Sequence, residues 1–329
     1  MKKIQLTEKL SISVLSLGTW AFSGAKVWGP NNDSDSIHTI HNALDRGINL
    51  IDTAERYGDG KAEEVIGAAL KGRRAQAVIS TKVYSNHLSY TDVISSCEAS
   101  LNRLQTDYID IYQIHWPNYD IPVEETFRAF EKLKSDGKIR EIGVCNFGRQ
   151  CLEGIAPYPV VLNQIPYSLL WRVPEHEIIP ASINQGITLW AYSSLAQGLL
   201  TGKFRKIEDV PLNRRETRMY HCRWNQGSHK EAGFETEIFE FLDKLSSLCE
   251  KTGFTMSEVA LAFLKSQPNM GSILMGARNT HQLEENIAAF ESAVPQDLVN
   301  SAAALSESLK QVMGTNADMW VSEQGGRMR

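Results

Sequence analysis

Four side chains of different type, Asp52, Tyr57, Lys82 and His115, carry the groups that a proton-transferring site needs, and all but Tyr57 close a β-rich run. The apolar run Ile48-Asn49-Leu50-Ile51 delivers Asp52 as a strand would, and Gly58-Asp59-Gly60 bends the chain away just after Tyr57. An unperturbed phenol ionises near ~10, and a neighbouring ammonium favours the phenolate and lowers that value. Lys82 is therefore expected to make Tyr57 a general acid at neutral pH, with Asp52 keeping the lysine charged and fixed. His115 supplies a hydrogen bond that orients and polarises a carbonyl oxygen. No serine stands in G-x-S-x-G, and no cysteine has a basic partner evident in the sequence. What this set lacks is a source of electrons, which a chain without a metal or flavin fingerprint must borrow.

The elements that must position these groups repeat one pattern: a helix of 3.6-residue apolar period, a short turn, then a β-rich run. Helices expected at 35–46, 62–71, 92–104, 123–135 and 177–184, with a short one after Gly148, each lead into a strand. The strands finish with Asp52, Lys82, His115, Asn146, Gln164 and Tyr192. Six polar residues at successive strand ends read as one site on a common rim. The start, Ile4-Gln5-Leu6 and Leu10-Ser11-Ile12-Ser13, reads as a hairpin, and Val14–20 as the first buried strand. The last strand, Ser272-Ile273-Leu274-Met275-Gly276, follows helices at 235–251 and 256–265, the second with a capping box of Thr255 and Glu258.

Eight strands alternating with helices imply a parallel sheet covered by helices, and this chain length favours a (β/α)8 TIM barrel over an open doubly wound sheet. No strand is followed by the G-x-G-x-x-G that the open alternative would use. One domain spanning 1–329 is expected, with an N-terminal β-hairpin and a long loop after strand 7, mainly 193–233. Such a loop on the C-terminal rim of a barrel reads as a lid or clamp over a ligand.

Composition narrows the partners. A formal net charge of −5 gives no electrostatic reason to expect nucleic acid or an anionic membrane. No apolar run approaches the ~18 residues of a spanning helix, and the first residues have no apolar core of a signal peptide. Five scattered cysteines without C-x-x-C read as free thiols in a reducing cytoplasm.

The contexts Asp52-Thr53-Ala54-x-x-Tyr57-Gly58, Ser80-Thr81-Lys82 and Gln113-Ile114-His115-Trp116-Pro117 resemble the catalytic tetrad of the aldo-keto reductases. The likeness continues through Gly143-Val144-Cys145-Asn146-Phe147, Asn163-Gln164, the run 191–203 and Gly276-Ala277-Arg278. The last two elements resemble the bacterial branch near the potassium-channel β-subunits and aflatoxin aldehyde reductases. The resemblance implies that Tyr57 protonates a carbonyl while hydride arrives from a bound nicotinamide. It implies further that Thr19, Trp20 and Asp52 contact the cofactor, that Asn146 and Gln164 hold the nicotinamide carboxamide and that Tyr192 stacks on its ring. Ser193, Leu195, Gly198 and Lys203 would wrap the pyrophosphate, and Gly276, Arg278, Gln282, Glu285 and Asn286 would hold the adenosine half. Arg278, expected at the start of a helix, suits a 2′-phosphate, which favours NADPH over NADH.

Trp20, Trp28, Tyr84 and Trp116, with Tyr57 and His115, are expected to wall an apolar or sugar-stacking substrate pocket. The tail from Asp318 to Arg329 resembles segments that fold back over the site in this branch, and equally suits a surface tail or an oligomer contact. Cys145, Ser194 and Lys61-Ala62 depart from the usual residues of the family. The function expected is reduction of an aldehyde or ketone, with sugar or cyclitol oxidation as its reverse; the oligomeric state is left open. A slow, redox-sensing nicotinamide-binding subunit and a barrel hydrolase or isomerase are the alternatives.

Overall fold

A computed structural model describes residues 1–24, 28–224, 229–322 and 325–329. The described residues form ten strands: β1 (Lys3–Thr7), β2 (Leu10–Ser13), β3 (Leu15–Gly18), β4 (Leu50–Asp52), β5 (Val78–Val83), β6 (Ile109–Ile114), β7 (Ile139–Cys145), β8 (Val160–Pro166), β9 (Thr188–Tyr192) and β10 (Met270–Gly276). The α-helices are α1 (Asp33–Asp45), α2 (Lys61–Ala69), α3 (Tyr90–Leu104), α4 (Val123–Ser135), α5 (Arg149–Gly154), α6 (Ile178–Asn184), α7 (Glu235–Thr252), α8 (Met256–Lys265), α9 (Thr280–Glu291), α10 (Gln296–Leu305) and α11 (Glu307–Met313).

Strands β3 to β10 pair in parallel and close on themselves, in the order β10-β3-β4-β5-β6-β7-β8-β9. The sequence-derived barrel, hairpin and long loop after the seventh barrel strand are all present. Among the described residues, no helix is long and apolar enough to cross a membrane.

Side chains alternate along a strand, so one row of each strand lines the barrel interior. The lower interior layer is apolar: Leu50, Val78, Ile111, Leu162, Trp190 and Leu274, stoppered by Leu10 and Ile12 of the antiparallel β1–β2 hairpin. Two residues further along five of these strands the same row turns to Asp52, Ser80, Gln113, Gln164 and Tyr192. Lys82 takes the next step above Ser80, and lies opposite Gln113 in the β5–β6 register. The outward row (Ile51, Ile79, Tyr112, Val144, Ile165, Ala191 and Ile273) is buried against the helices. The fold thus separates an apolar floor from a polar ceiling by one strand repeat.

Local signals place several boundaries. Thr255 Oγ1 accepts from the Glu258 amide at 3.2 Å, and the Thr255 amide donates to the Glu258 carboxylate at 2.6 Å, so α8 starts on the expected box. Helices α10 and α11, after Pro295, fall outside the sequence-derived pattern and cover the outer faces of α7 and α8. Helix α2, which follows the Tyr57 loop, packs on the end of α3 through Gly67: a Cβ there would lie 2.5 Å from the Arg103 carbonyl oxygen and 2.9 Å from the Leu104 carbonyl group.

Alanine is worth up to about 1 kcal/mol over glycine inside a helix, but a backbone carbonyl in the way costs about 1–3 kcal/mol. Gly67→Ala is expected to lower the unfolding free energy on balance, measured as a reduced urea midpoint at unchanged m; an unchanged or raised midpoint refutes this contact.

Candidate active site

Asp52 is the hub. Its Oδ2 accepts from Lys82 Nζ at 2.7 Å, and Lys82 also donates to the Thr53 carbonyl at 2.7 Å. Its Oδ1 accepts from Gln164 Nε2 at 3.0 Å and from Gln113 Nε2 at 3.4 Å, the latter also bonding Ser80 Oγ at 2.6 Å. Both members of the ion pair are buried. Taking two charges out of water costs several kcal/mol per ion, so the pair stands only because these partners satisfy the carboxylate.

Tyr57 lies over this pair. Lys82 Nζ is 5.2 Å from its ring centre, His115 meets it edge-on at 5.8 Å and Trp20 stacks on it at 6.2 Å. Burial first, then the Asp52 charge, holds the Tyr57 phenol well above its ordinary value. This reverses the expected direction: Asp52 absorbs the lysine charge, and the phenolate has lost its water. Tyr57 is therefore a firmly protonated donor. His115 is held well below its ordinary value, by burial and then by the Lys82 and Arg327 charges, so its imidazole is neutral.

These groups line one cavity of about 930 Å³, large for a single small molecule. Asp52, Tyr57, His115, Asn146, Gln164 and Tyr192 reach its wall, whereas Lys82 lies behind it with no exposed surface. Asn146, at a left-handed φ of 63°, donates to the His115 carbonyl at 3.0 Å and accepts from the Tyr192 hydroxyl at 2.8 Å. The expected wall of Trp20, Trp28, Tyr84 and Trp116 lines the same cavity, and so do Trp320 and Arg327 of the tail. The tail thus folds back over the site.

Thr19, Ser193, Leu195, Gly198, Lys203, Gly276, Arg278, Gln282, Glu285 and Asn286, expected at the cofactor, also line this cavity. The Thr19 hydroxyl is committed to the Asp52 carbonyl at 2.9 Å. After Tyr192 the backbone takes positive φ at Ser193, Ala196, Gln197 and Gly198, a tight turn into the long loop. Gly198, at φ 101°, also leaves the room that Lys203 occupies; a Cβ would meet its Nζ at 2.8 Å. Ser194, one of the departures, bonds the Leu274 carbonyl at 2.6 Å and anchors the loop to β10. Arg278 precedes the α9 N-cap Asn279 rather than starting the helix.

Gln113 and Arg214 are among the contributors that escaped the sequence reading. Gln113 was legible only by stepping back two residues from His115 along the inward row. Arg214, from the long loop, lines the cavity, with its guanidinium 5.0 Å from the Trp28 ring. Its neighbour Arg215 instead turns back onto the Val210 carbonyl, at 2.6 Å, and no local pattern distinguishes the two. Burial and then the Arg278 charge hold Arg214 below its ordinary value; burial and then Arg214 do the same to Lys203. Three mutually repelling cations facing one cavity are suited to a polyanion.

The model of the aldo/keto reductase family matches residues 14–307. The chain belongs to this family. It is 37 % identical over 286 residues to the aldo-keto reductase YhdN of Bacillus subtilis, covering 84 % of each chain. It is 36 % identical over 317 residues to an NADH-specific methylglyoxal reductase of Escherichia coli, covering 88 % of this chain and 93 % of that one. Among solved structures, an aldo-keto reductase from Klebsiella pneumoniae in complex with NADPH superposes with a TM-score of 0.74 at 26 % identity, covering 97 % and 99 % of the two chains. Membership makes the chain an oxidoreductase.

Two outcomes test the site's electrostatics. Asp52→Asn leaves the Lys82 ammonium buried without its counter-charge, and is expected to cost about 3–5 kcal/mol in chemical denaturation; a loss under 1 kcal/mol would remove Asp52 as the hub. Folded His115 refuses a proton that the unfolded chain accepts below ~6.5, so its contribution is present above that pH and lost on acidification. Stability of the native chain should therefore fall more steeply below that pH than stability of His115→Gln, read from urea midpoints across the range.

Proposed function

We propose that this chain reduces an aldehyde or ketone to an alcohol with a nicotinamide dinucleotide, NADPH in preference to NADH. The observation that carries the reading is a single cavity with Tyr57 and His115 5.8 Å apart on its wall and Lys203, Arg214 and Arg278 lining it as well. The residues fit such a cofactor: Asn146 and Gln164 present amides, Tyr192 an aromatic ring, and the three cations suit its phosphates. The side-chain amide nitrogen of Gln197 and Nε of Arg214 are buried without hydrogen-bond partners among the described residues, as donors awaiting an acceptor would be. When bound, the nicotinamide supplies the hydride.

Tyr57 donates its proton to the carbonyl oxygen as negative charge develops there, and its raised pKa keeps that proton in place beforehand. His115, neutral, donates one hydrogen bond that orients the oxygen. Lys82 then stands as the cation nearest the phenolate left behind. Alcohol oxidation uses the same groups in reverse. The relative named as NADH-specific makes NADH the alternative donor.

Tyr57→Phe is expected to lower carbonyl reduction about 10²–10⁴-fold while NADPH still quenches the tryptophan fluorescence; retained turnover refutes the role of Tyr57. Arg278→Ala should weaken NADPH about tenfold or more with little change for NADH, by fluorescence titration of both. Equal losses remove the 2′-phosphate assignment.

A further inference from the structure

The stretch that carries Tyr57 is tied to the strand that carries Lys82 on both sides of the lysine. On one side, the Glu55 amide donates to the Lys82 carbonyl at 3.4 Å, and Glu55 Oε1 accepts from the Tyr84 amide at 2.7 Å. On the other, Glu63 Oε1 accepts from the Thr81 hydroxyl at 2.5 Å. The Glu55 carboxylate is shared with the half-exposed His87, at 3.0 Å. The second tie is of another kind, because Glu63 and Thr81 are both fully buried.

Glu63 stands in the first turn of α2, and the turn between it and Tyr57 is closed by its own backbone. The Lys61 amide donates to the Gly58 carbonyl at 3.1 Å and the Ala62 amide to the Tyr57 carbonyl at 3.2 Å. The other carboxylate oxygen, Oε2, accepts from Arg103 Nε at 2.7 Å, and Arg103 Nη2 donates to Ser100 Oγ at 3.2 Å. Gly60, at φ 96°, lies directly on that arginine: a Cβ there would lie 2.5 Å from Nε. Thus α3 supplies a cation, α2 a carboxylate and β5 a hydroxyl. Successive side chains of a strand point to opposite faces, so Thr81 faces α2 while Lys82 faces the barrel interior. A buried ion pair adds little net stability over a well-packed apolar substitute, so what this one adds is position.

We propose that Glu63, held by Arg103 and bonded to Thr81, is a positioning residue that sets Tyr57 against Lys82. The three side chains stand behind the cavity wall and touch no reacting group. The inference rests on the carbonyl-reduction reading: when Tyr57 gives up its proton, Lys82 Nζ, 5.2 Å from its ring centre, is the cation that answers the phenolate. A shift of Glu63 moves the Tyr57 loop, and a shift of Thr81 moves the backbone of Lys82. The cations expected to hold the dinucleotide phosphates lie elsewhere, on the long loop and after β10, so cofactor affinity is independent of this tie.

Single-turnover hydride transfer in the full chain, followed by NADPH absorbance with an aldehyde that the native chain reduces, reads the chemical step apart from binding. Thr81→Val keeps the shape and removes the hydroxyl. It is expected to slow transfer about 10–10²-fold, with NADPH Kd and aldehyde KM changed by no more than about twofold. Thr81→Ser keeps the hydroxyl and should recover most of the rate. Glu63→Ala should act in the same direction, and Glu63→Gln, which can still bond Thr81 and Arg103, should recover part. If Glu63→Ala does not fold, the Thr81 pair decides. An unchanged transfer rate in Thr81→Val, an equal loss in Thr81→Val and Thr81→Ser, or a loss that falls on NADPH Kd instead of the rate overturns the proposal and leaves carbonyl reduction standing. A native chain that reduces no member of a wide carbonyl panel overturns the function and the proposal together.

Discussion

The buried Asp52–Lys82 ion pair sets the terms for everything around it. Two unlike charges separated by 2.7 Å, away from water, are tolerable only when further hydrogen bonds brace both partners. Gln164, Gln113 and the Thr53 carbonyl do this, and each comes from a different part of the barrel wall. The pair contributes position more than stability. It locks strands β4, β5, β6 and β8 in one register and sets a cation beneath Tyr57 without letting that cation reach solvent.

From that constraint follows the behaviour of the phenol. Lys82 is close enough to stabilise a phenolate once formed, yet its charge is spent on Asp52 while Tyr57 is protonated. The result is a phenol that keeps its proton beside a neutral imidazole, as the proposed reduction requires. Charge elsewhere in the cavity is arranged to the opposite effect. Burial and then neighbouring cations disfavour the charged forms of Lys203 and Arg214, with the Arg278 charge acting on Arg214, a cost that a polyanion would relieve. The long loop and the turn after β10 supply this second kind of charge, and the strands supply the first.

Much of this was legible in order along the chain. The strand ends Asp52, Lys82, His115, Asn146, Gln164 and Tyr192 announced a rim because a period-2 row inside a barrel must end somewhere, and here it ends in polar groups. Thr255 with Glu258 marked a helix start by a purely local exchange of hydrogen bonds. Arg214 was hidden because an irregular loop has no period, so nothing local separates it from Arg215. The direction of the Tyr57 shift was misread because burial, its largest cause, depends on what packs around the ring, and the sequence does not show that.

Sequence alone therefore determined the barrel, the hairpin beneath it, the inward-facing polar ceiling and which polar groups meet there, since each depends on spacing along a strand or helix. Only the tertiary structure decided how burial sets the protonation of Tyr57 and His115, and that Lys203, Arg214 and Arg278 face one cavity with no carboxylate among their described contacts. Those outcomes depend on distances between segments far apart in the chain and on the water excluded between them, and no local pattern encodes either.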